Sequence, residues 1–353
     1  MRPSAGPGVA ANLTVLPAAR QWVLFCVSSD DPCTHADPGP GCCLIRQLRL
    51  TRVDEHRFTG GLRGGRSTPQ RAFGGGLIAQ ALLAAGVTVP AGQVPGSLHA
   101  YFVSPGDTAR PMRYTVSPFG AGRSSALRQV TADQDGVTRL VVLASFRGFA
   151  DTGAEHQRTP PVLGSPPELG ADSPCRCATG DLTCGLALHA AAQEAEPGAA
   201  PGAHRASWTR LRHDLGARPL WHAAVLGYVS DIATNRTVDQ PHRHEPGRRL
   251  AASVDHALWF HRPFRADEWL WYGQRSPVYV NGRGICQGEF YDTAGHLVAS
   301  CVQEVSLRRV PTTPQPVLPE QSREDTDVGW GERPEPDDDE RLSRDRPPHW
   351  DSA

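Results

Sequence analysis

Three polar residues in the second half of the chain are worth testing as a site, and two of them, Gln303 and Asp231, stand where polarity costs free energy. Along Leu297–Arg308, alternation puts Leu297, Ala299, Cys301, Gln303, Val305 and Leu307 on one face of a strand. Gln303 is the one amide on that otherwise apolar face. Burying it unpartnered would cost about 1–3 kcal/mol, so it should have partners, whether in a site or in a structural bond to a bulge or loop. Asp231 closes an apolar helix, where the dipole disfavours a carboxylate by about 0.3–1 kcal/mol. If exposed it simply begins the Asn235-Arg236 turn; if buried it needs donors and becomes a candidate base. Ser253 opens an alternating run to His261 and is ordinary for a strand unless the other two converge on it. In the first half, Gly74-Gly75-Gly76 opens a helix. Such glycines admit a close backbone or ligand, and helix amides favour anionic atoms; tight helix–sheet packing explains them equally well.

Other chemistries leave no adequate mark. There is no Gly-x-Ser-x-Gly elbow, no Walker A loop and no dinucleotide fingerprint after a strand. His242-Arg-His244-Glu245 lies in a Pro-flanked loop without helical spacing, and Cys175-x-Cys177 with Cys184 lacks a fourth ligand at a usual spacing, so neither metal nor cofactor is expected. Cys286 and Cys301 fall in strand-like runs and read as small buried hydrophobes. The formal net charge is −1, lysine is absent and the arginines are dispersed, which argues against a nucleic-acid partner. No apolar run reaches the ~20 residues of a membrane helix, so no membrane is expected and a cytoplasmic location is the default.

The elements that must position these residues come in two similar sets. Residues 1–43 read as a disordered extension and 311–353 as a disordered acidic, Pro-rich tail. Residues 44–150 hold a short strand near Arg57–Gly60, then a buried apolar helix ending at Gly86, which suits a C′ cap. Strands follow at Ser97–Val103, Met112–Val116, Ser124–Thr131 and Arg139–Phe146, with a hairpin turn at Asp135-Gly136. Residues 151–203 read as a linker with a short helix near Leu186–Glu194. Residues 204–310 repeat the plan: Pro219 starts an apolar helix to Ala233, and strands run Leu250–His261, Glu268–Gly273, Gly284–Tyr291 and His296–Leu307. His99-Ala-Tyr-Phe102 matches His256-Ala-Leu-Trp259, and Ala144-Ser145-Phe146 matches Ala299-Ser300-Cys301. On this alignment Gln303 has no counterpart in the first half, where the aligned region runs into Arg147-Gly148. Fixed-order self-similarity predicts an α+β fold of two tandem units, each an antiparallel sheet wrapped on one helix.

The motifs resemble the acyl-CoA thioesterase II family. They are Arg71-x-Phe-Gly-Gly75 with Gln80-Ala-Leu82, Ser97-Leu-His-x-Tyr-Phe102 with Pro105-Gly-Asp107, Ser230-Asp231, Asp255-His-x-x-Trp-Phe-His-Arg-Pro-Phe264 with Glu268-Trp-Leu270, Gly288-Glu-Phe-Tyr291, and Val298-Ala-Ser300 with Val302-Gln-Glu304. The resemblance covers roughly Leu48 to Arg308 and implies a double hotdog fold that hydrolyses acyl-CoA. It places the catalytic set on Asp231, Ser253 and Gln303, which would orient and activate a water. Gly74, Gly75, His256 and Trp259 are the expected substrate-binding residues. The chain departs from the family pattern at Gly76, Ala257 and Val305, and none of these is a triad member. A thioesterase acting on carrier-protein-bound chains and a non-catalytic acyl-CoA-binding module are the alternatives. Self-association into a homo-oligomer is expected, because such sheets leave edges and faces that pair.

Overall fold

Two stretches apolar on nearly every side cannot present a face to water, and the structure puts both at its centre. In the computed structural model the helices are α1 (Cys42–Leu48), α2 (Gly74–Gly86), α3 (Pro219–Ser230) and α4 (Thr234–Asp239). The structure describes residues 42–65, 68–121, 124–148, 155–168, 182–183, 185–191, 202–245 and 248–310. The expected extension up to residue 41, the Cys175, Cys177 and Cys184 trio and the expected tail lie outside these residues.

The strands are β1 (Thr51–Arg52), β2 (Arg57–Gly60), β3 (Gly64–Gly65), β4 (Thr68–Ala72), β5 (Val94–Phe102), β6 (Met112–Ala121), β7 (Ser125–Gln134) and β8 (Val137–Arg147), followed by β9 (Leu186–Ala191), β10 (His204–Leu211), β11 (Arg248–Ser253), β12 (Asp255–Phe260), β13 (Leu270–Val280), β14 (Arg283–Tyr291) and β15 (Leu297–Val310). All but the β3–β4 pair form one 13-stranded sheet in the order β1-β2-β6-β7-β8-β5-β12-β15-β14-β13-β10-β9, with β11 beside β15. The first-half strands lie against α2. α3 shares its core with Leu258, Phe260, Tyr272 and Phe290 of the second half. The halves are joined edge to edge where β5 meets β12, with Leu98 directly opposite Leu258. This is the expected α+β double hotdog. No helix among the described residues is long and apolar enough to cross a membrane.

The hairpin between β7 and β8 turns where expected: Asp135 (φ 53) and Gly136 (φ 79) are both left-handed, as a two-residue turn of matching twist requires. Three expectations need correction. Leu186–Ala191 is a strand, not a helix. It pairs with β10 from Leu186↔Leu211 to Ala191↔Ala206, and this pairing overrides the helical propensity of its alanines. Further upstream in the expected linker, Gln157 bonds Gly295 and Leu297, and Arg158 pairs with Glu289 on β14.

The second correction is a register slip between the repeats. His256 is buried and faces the helices, whereas His99 is exposed, so the two histidines are not equivalent. The faces agree when Phe102-x-x-Pro105 is matched to Phe260-x-x-Pro263: Tyr101 and Trp259 then both face outward, and His256 matches buried Leu98. Ala144 and Gln303 stand equally far beyond their hairpin glycines, Gly136 and Gly295, past a bulge in each hairpin. Gln303 therefore corresponds to Ala144 and not to Arg147-Gly148.

The third correction concerns Gly86, which lies in the last turn of α2. Val87 is the C-cap, at φ −77. The smallness of Gly86 serves helix packing, because a Cβ there would come 2.3 Å from the Leu220 side chain of α3. At the other end a Cβ on Gly75 would come 2.4 Å from the Tyr228 carbonyl. The two helices thus run antiparallel at near-backbone contact, with a glycine at each end of α2. Gly75→Ala meets rigid backbone and should cost about 3 kcal/mol; Gly86→Ala meets a movable side-chain tip and should cost about 1 kcal/mol. Chemical denaturation of the two variants checks this order, and equal costs would contradict it.

Candidate active site

The position of Asp231 follows from how α3 ends. The last carbonyls of a helix have no partner within it. Here β13 supplies donors: Tyr272 Oη gives a 2.5 Å bond to the Ser230 carbonyl, and Gln274 Nε2 a 2.9 Å bond to that of Ile232. The Tyr272 ring is stacked on Phe290 with centroids 4.0 Å apart, which locks the donor. Asp231, between these clamped residues, is the C-cap. Ala233 then turns the chain at φ 68, a conformation that costs a non-glycine residue about 1–2 kcal/mol. That turn starts α4 and brings Thr234 back over the carboxylate.

Asp231 is buried, at 6 % exposure, and donors from four other elements surround it. The Gly75 N–H at the start of α2 donates to Oδ2 at 2.8 Å. The Ser253 hydroxyl at the end of β11 faces Oδ1 at 3.4 Å, and that of Thr234 at 3.5 Å. On β15, Gln303 Nε2 lies 2.8 Å from both hydroxyls, and its Oε1 is 2.6 Å from Nδ1 of His256. The other ring nitrogen of His256 is 2.9 Å from Ser230 Oγ. Gly74 lies against the same carboxylate, since a Cβ there would come 2.7 Å from Oδ2. Burial raises the Asp231 pKa to about 6, while donors from Gln303, Gly75, Ser253 and Thr234 hold it below what burial alone would give. Burial pushes His256 the opposite way, to about 4, so it is neutral when Asp231 is ionised. The result is a buried carboxylate ringed by donors, whose pKa lies close to neutral pH.

Asp231, Ser253, Gln303, Gly74, Gly75 and His256 therefore converge. Trp259 does not. It is on the opposite face of β12 and meets His99 edge-on, with centroids 5.3 Å apart. Thr234 escaped the sequence reading, although its place three residues beyond Asp231 is within side-chain reach in a helical turn. Tyr272 and Gln274 were also missed, and Ser230 was read only as part of the Ser230-Asp231 motif, because their roles depend on contacts across the fold. Cys286 and Cys301 are buried as expected, and burial lifts the Cys301 thiol to about 12, which removes it as a nucleophile at neutral pH. His242 pairs locally with Glu245 at 3.2 Å. The described residues contain no group of three or more His, Cys, Asp or Glu arranged to hold a metal.

Comparison with known proteins agrees with this architecture. Residues 62–147 match the family model of the acyl-CoA thioesterase N-terminal domain, and residues 164–307 match that of the C-terminal domain. Human acyl-coenzyme A thioesterase 8 is 33% identical over 283 residues, covering 75% of this chain and 88% of that protein. Acyl-CoA thioesterase 2 of Haemophilus influenzae is 30% identical over 286 residues, covering 75% and 96%. The solved structure of an acyl-CoA thioesterase II from Mycobacterium marinum aligns with a TM-score of 0.65 at 31% identity, covering 77% of this chain and 99% of that one. Both halves and their order are thus shared, and the chain belongs to the acyl-CoA thioesterase II family of thioester hydrolases.

Proposed function

We propose that this hydrolase cleaves fatty acyl-CoA to free fatty acid and CoA with a water activated by Asp231, Ser253 and Gln303. The observation that carries the reading is the buried carboxylate with a pKa of about 6, surrounded by oriented donors. The water oxygen attacks the thioester carbonyl carbon as Asp231 takes its proton. The tetrahedral intermediate then collapses, the C–S bond breaks, and the CoA thiolate leaves and is protonated. Ser253 and Gln303 hold the water and polarise the carbonyl, with Thr234 sharing the Gln303 amide. Thiolate is a good leaving group, so a positioned water with modest base catalysis suffices.

Thiol release from acyl-CoA esters of graded chain length tests the activity. Asp231→Ala should lower kcat by roughly 10²–10⁴; turnover at the wild-type rate would exclude Asp231 as the base.

The base must be ionised to work, so kcat/KM should fall tenfold per pH unit below about 6. A flat profile down to pH 5 would contradict this.

The same shift has a cost in stability. A carboxyl whose folded pKa is raised stabilises the fold fully below its unfolded value of 3.8, and this contribution is lost as pH rises through about 6. At neutral pH the loss is on the order of 3 kcal/mol. Asp231→Asn should therefore melt higher than wild type at pH 8, with the gap closing toward pH 4; a gap independent of pH would refute the assignment.

A further inference from the structure

His256 and Gln303 face each other on adjacent strands, on the rung beyond Ala257↔Val302. At the matching rung of the first half, Leu98 lies opposite Ala144, and both are fully buried. The fold is therefore satisfied by an apolar pair at this place, and the polar pair occurs only in the half that carries Asp231.

The heavy atoms allow two proton arrangements. In one, His256 carries its proton on Nδ1 and donates to Gln303 Oε1. The Gln303 amide then turns both N–H groups to the side of Ser253, Thr234 and Asp231, where an incoming water can accept one of them, and the hydroxyl protons of Ser253 and Thr234 are free to point at Asp231. Ser230 closes this chain by donating to Nε2 of His256. In the other, the proton is on Nε2 and is donated to Ser230, whose hydroxyl donates to the Gly227 carbonyl at 2.9 Å. Gln303 is then flipped, and Ser253 and Thr234 must donate to its oxygen. The second arrangement strips both hydroxyl donors from a buried carboxylate and leaves it the Gly75 N–H alone. An ionised carboxylate selects the first, because it can only accept.

We infer that His256, held as its Nδ1–H tautomer by Ser230, is a positioning residue that fixes the Gln303 amide with both N–H groups toward Ser253 and Thr234. The inference rests on hydrolysis at Asp231 as proposed above. Apart from Asp231, the titratable groups around the pair are Asp255, which faces the other side of β12 and accepts the Glu304 N–H at 2.7 Å, and the thiols of Cys301 and of Cys286, the latter directly opposite Gln303 on β14, both of which burial keeps protonated.

The proton position is read by ¹⁵N NMR of the full chain labelled at histidine, with the His256 signal identified by its loss in His256→Asn. A proton on Nδ1 supports the inference, and a proton on Nε2 overturns it, whether or not the variants fold. Kinetics gives an independent reading. His256→Leu, which installs the first-half residue, should lower kcat roughly 10–100-fold with little change in KM, the scale typical of lost support behind a working group. His256→Asn keeps a donor near the Nδ1 position and should recover most of that loss. In the Leu variant the acid limb of the pH profile should move to higher pH, because Asp231 loses aligned donors. Wild-type kcat in His256→Leu, or an Asn variant no better than Leu, would overturn the inference. Absence of turnover in the unaltered protein would instead overturn the hydrolase reading and leave the proton position to the NMR.

Discussion

The structure depends on two helices packed at near-backbone distance. That approach requires Gly75 under the Tyr228 carbonyl and Gly86 under Leu220. It also sets the N-terminal amides of α2 against the C-terminal end of α3, where Asp231 sits. The positive end of one helix thus offsets the unfavourable position of a carboxylate at the negative end of the other. Neither half contains the whole site: Gly75 comes from the first, and Asp231, Ser253, Thr234 and Gln303 from the second.

Much of this was legible in the sequence, for identifiable reasons. Alternation is a local property, so the strand around Gln303 and the lone amide on its apolar face could be read directly. The uniformly apolar character of both helices likewise announced burial. The failures share a cause. Leu186–Ala191 is a strand because β10 is beside it, and no local pattern could report that neighbour. The His99 and His256 runs look alike as text but differ by one residue in register, which in a strand exchanges the two faces. Matching a polar residue cost the correct alignment, and the buried-face pattern restored it. Thr234, Tyr272 and Gln274 matter through contacts made across the fold, which spacing alone does not encode.

The corrected register shows how one half differs from the other. Leu98 and Ala144 become His256 and Gln303, and Val87 at the helix cap becomes Asp231. The two-fold plan remains in the backbone, while the buried polar network belongs to one side. Such a network is costly unless every member is paired. Here Tyr272, Gln274, Ser230 and Thr237 extend the pairing well beyond the carboxylate.

The Gly75–Asp231 bond carries one more consequence. It is made only while α2 is seated on α3, and it is among the interactions that hold the carboxylate's pKa down. Any ligand, neighbour or substitution that pries the two helices apart withdraws that amide and leaves the acid harder to ionise. The proton affinity of one side chain is therefore a gauge of how firmly the two halves are closed, and mechanical closure and the ionisation of this buried carboxyl become a single variable.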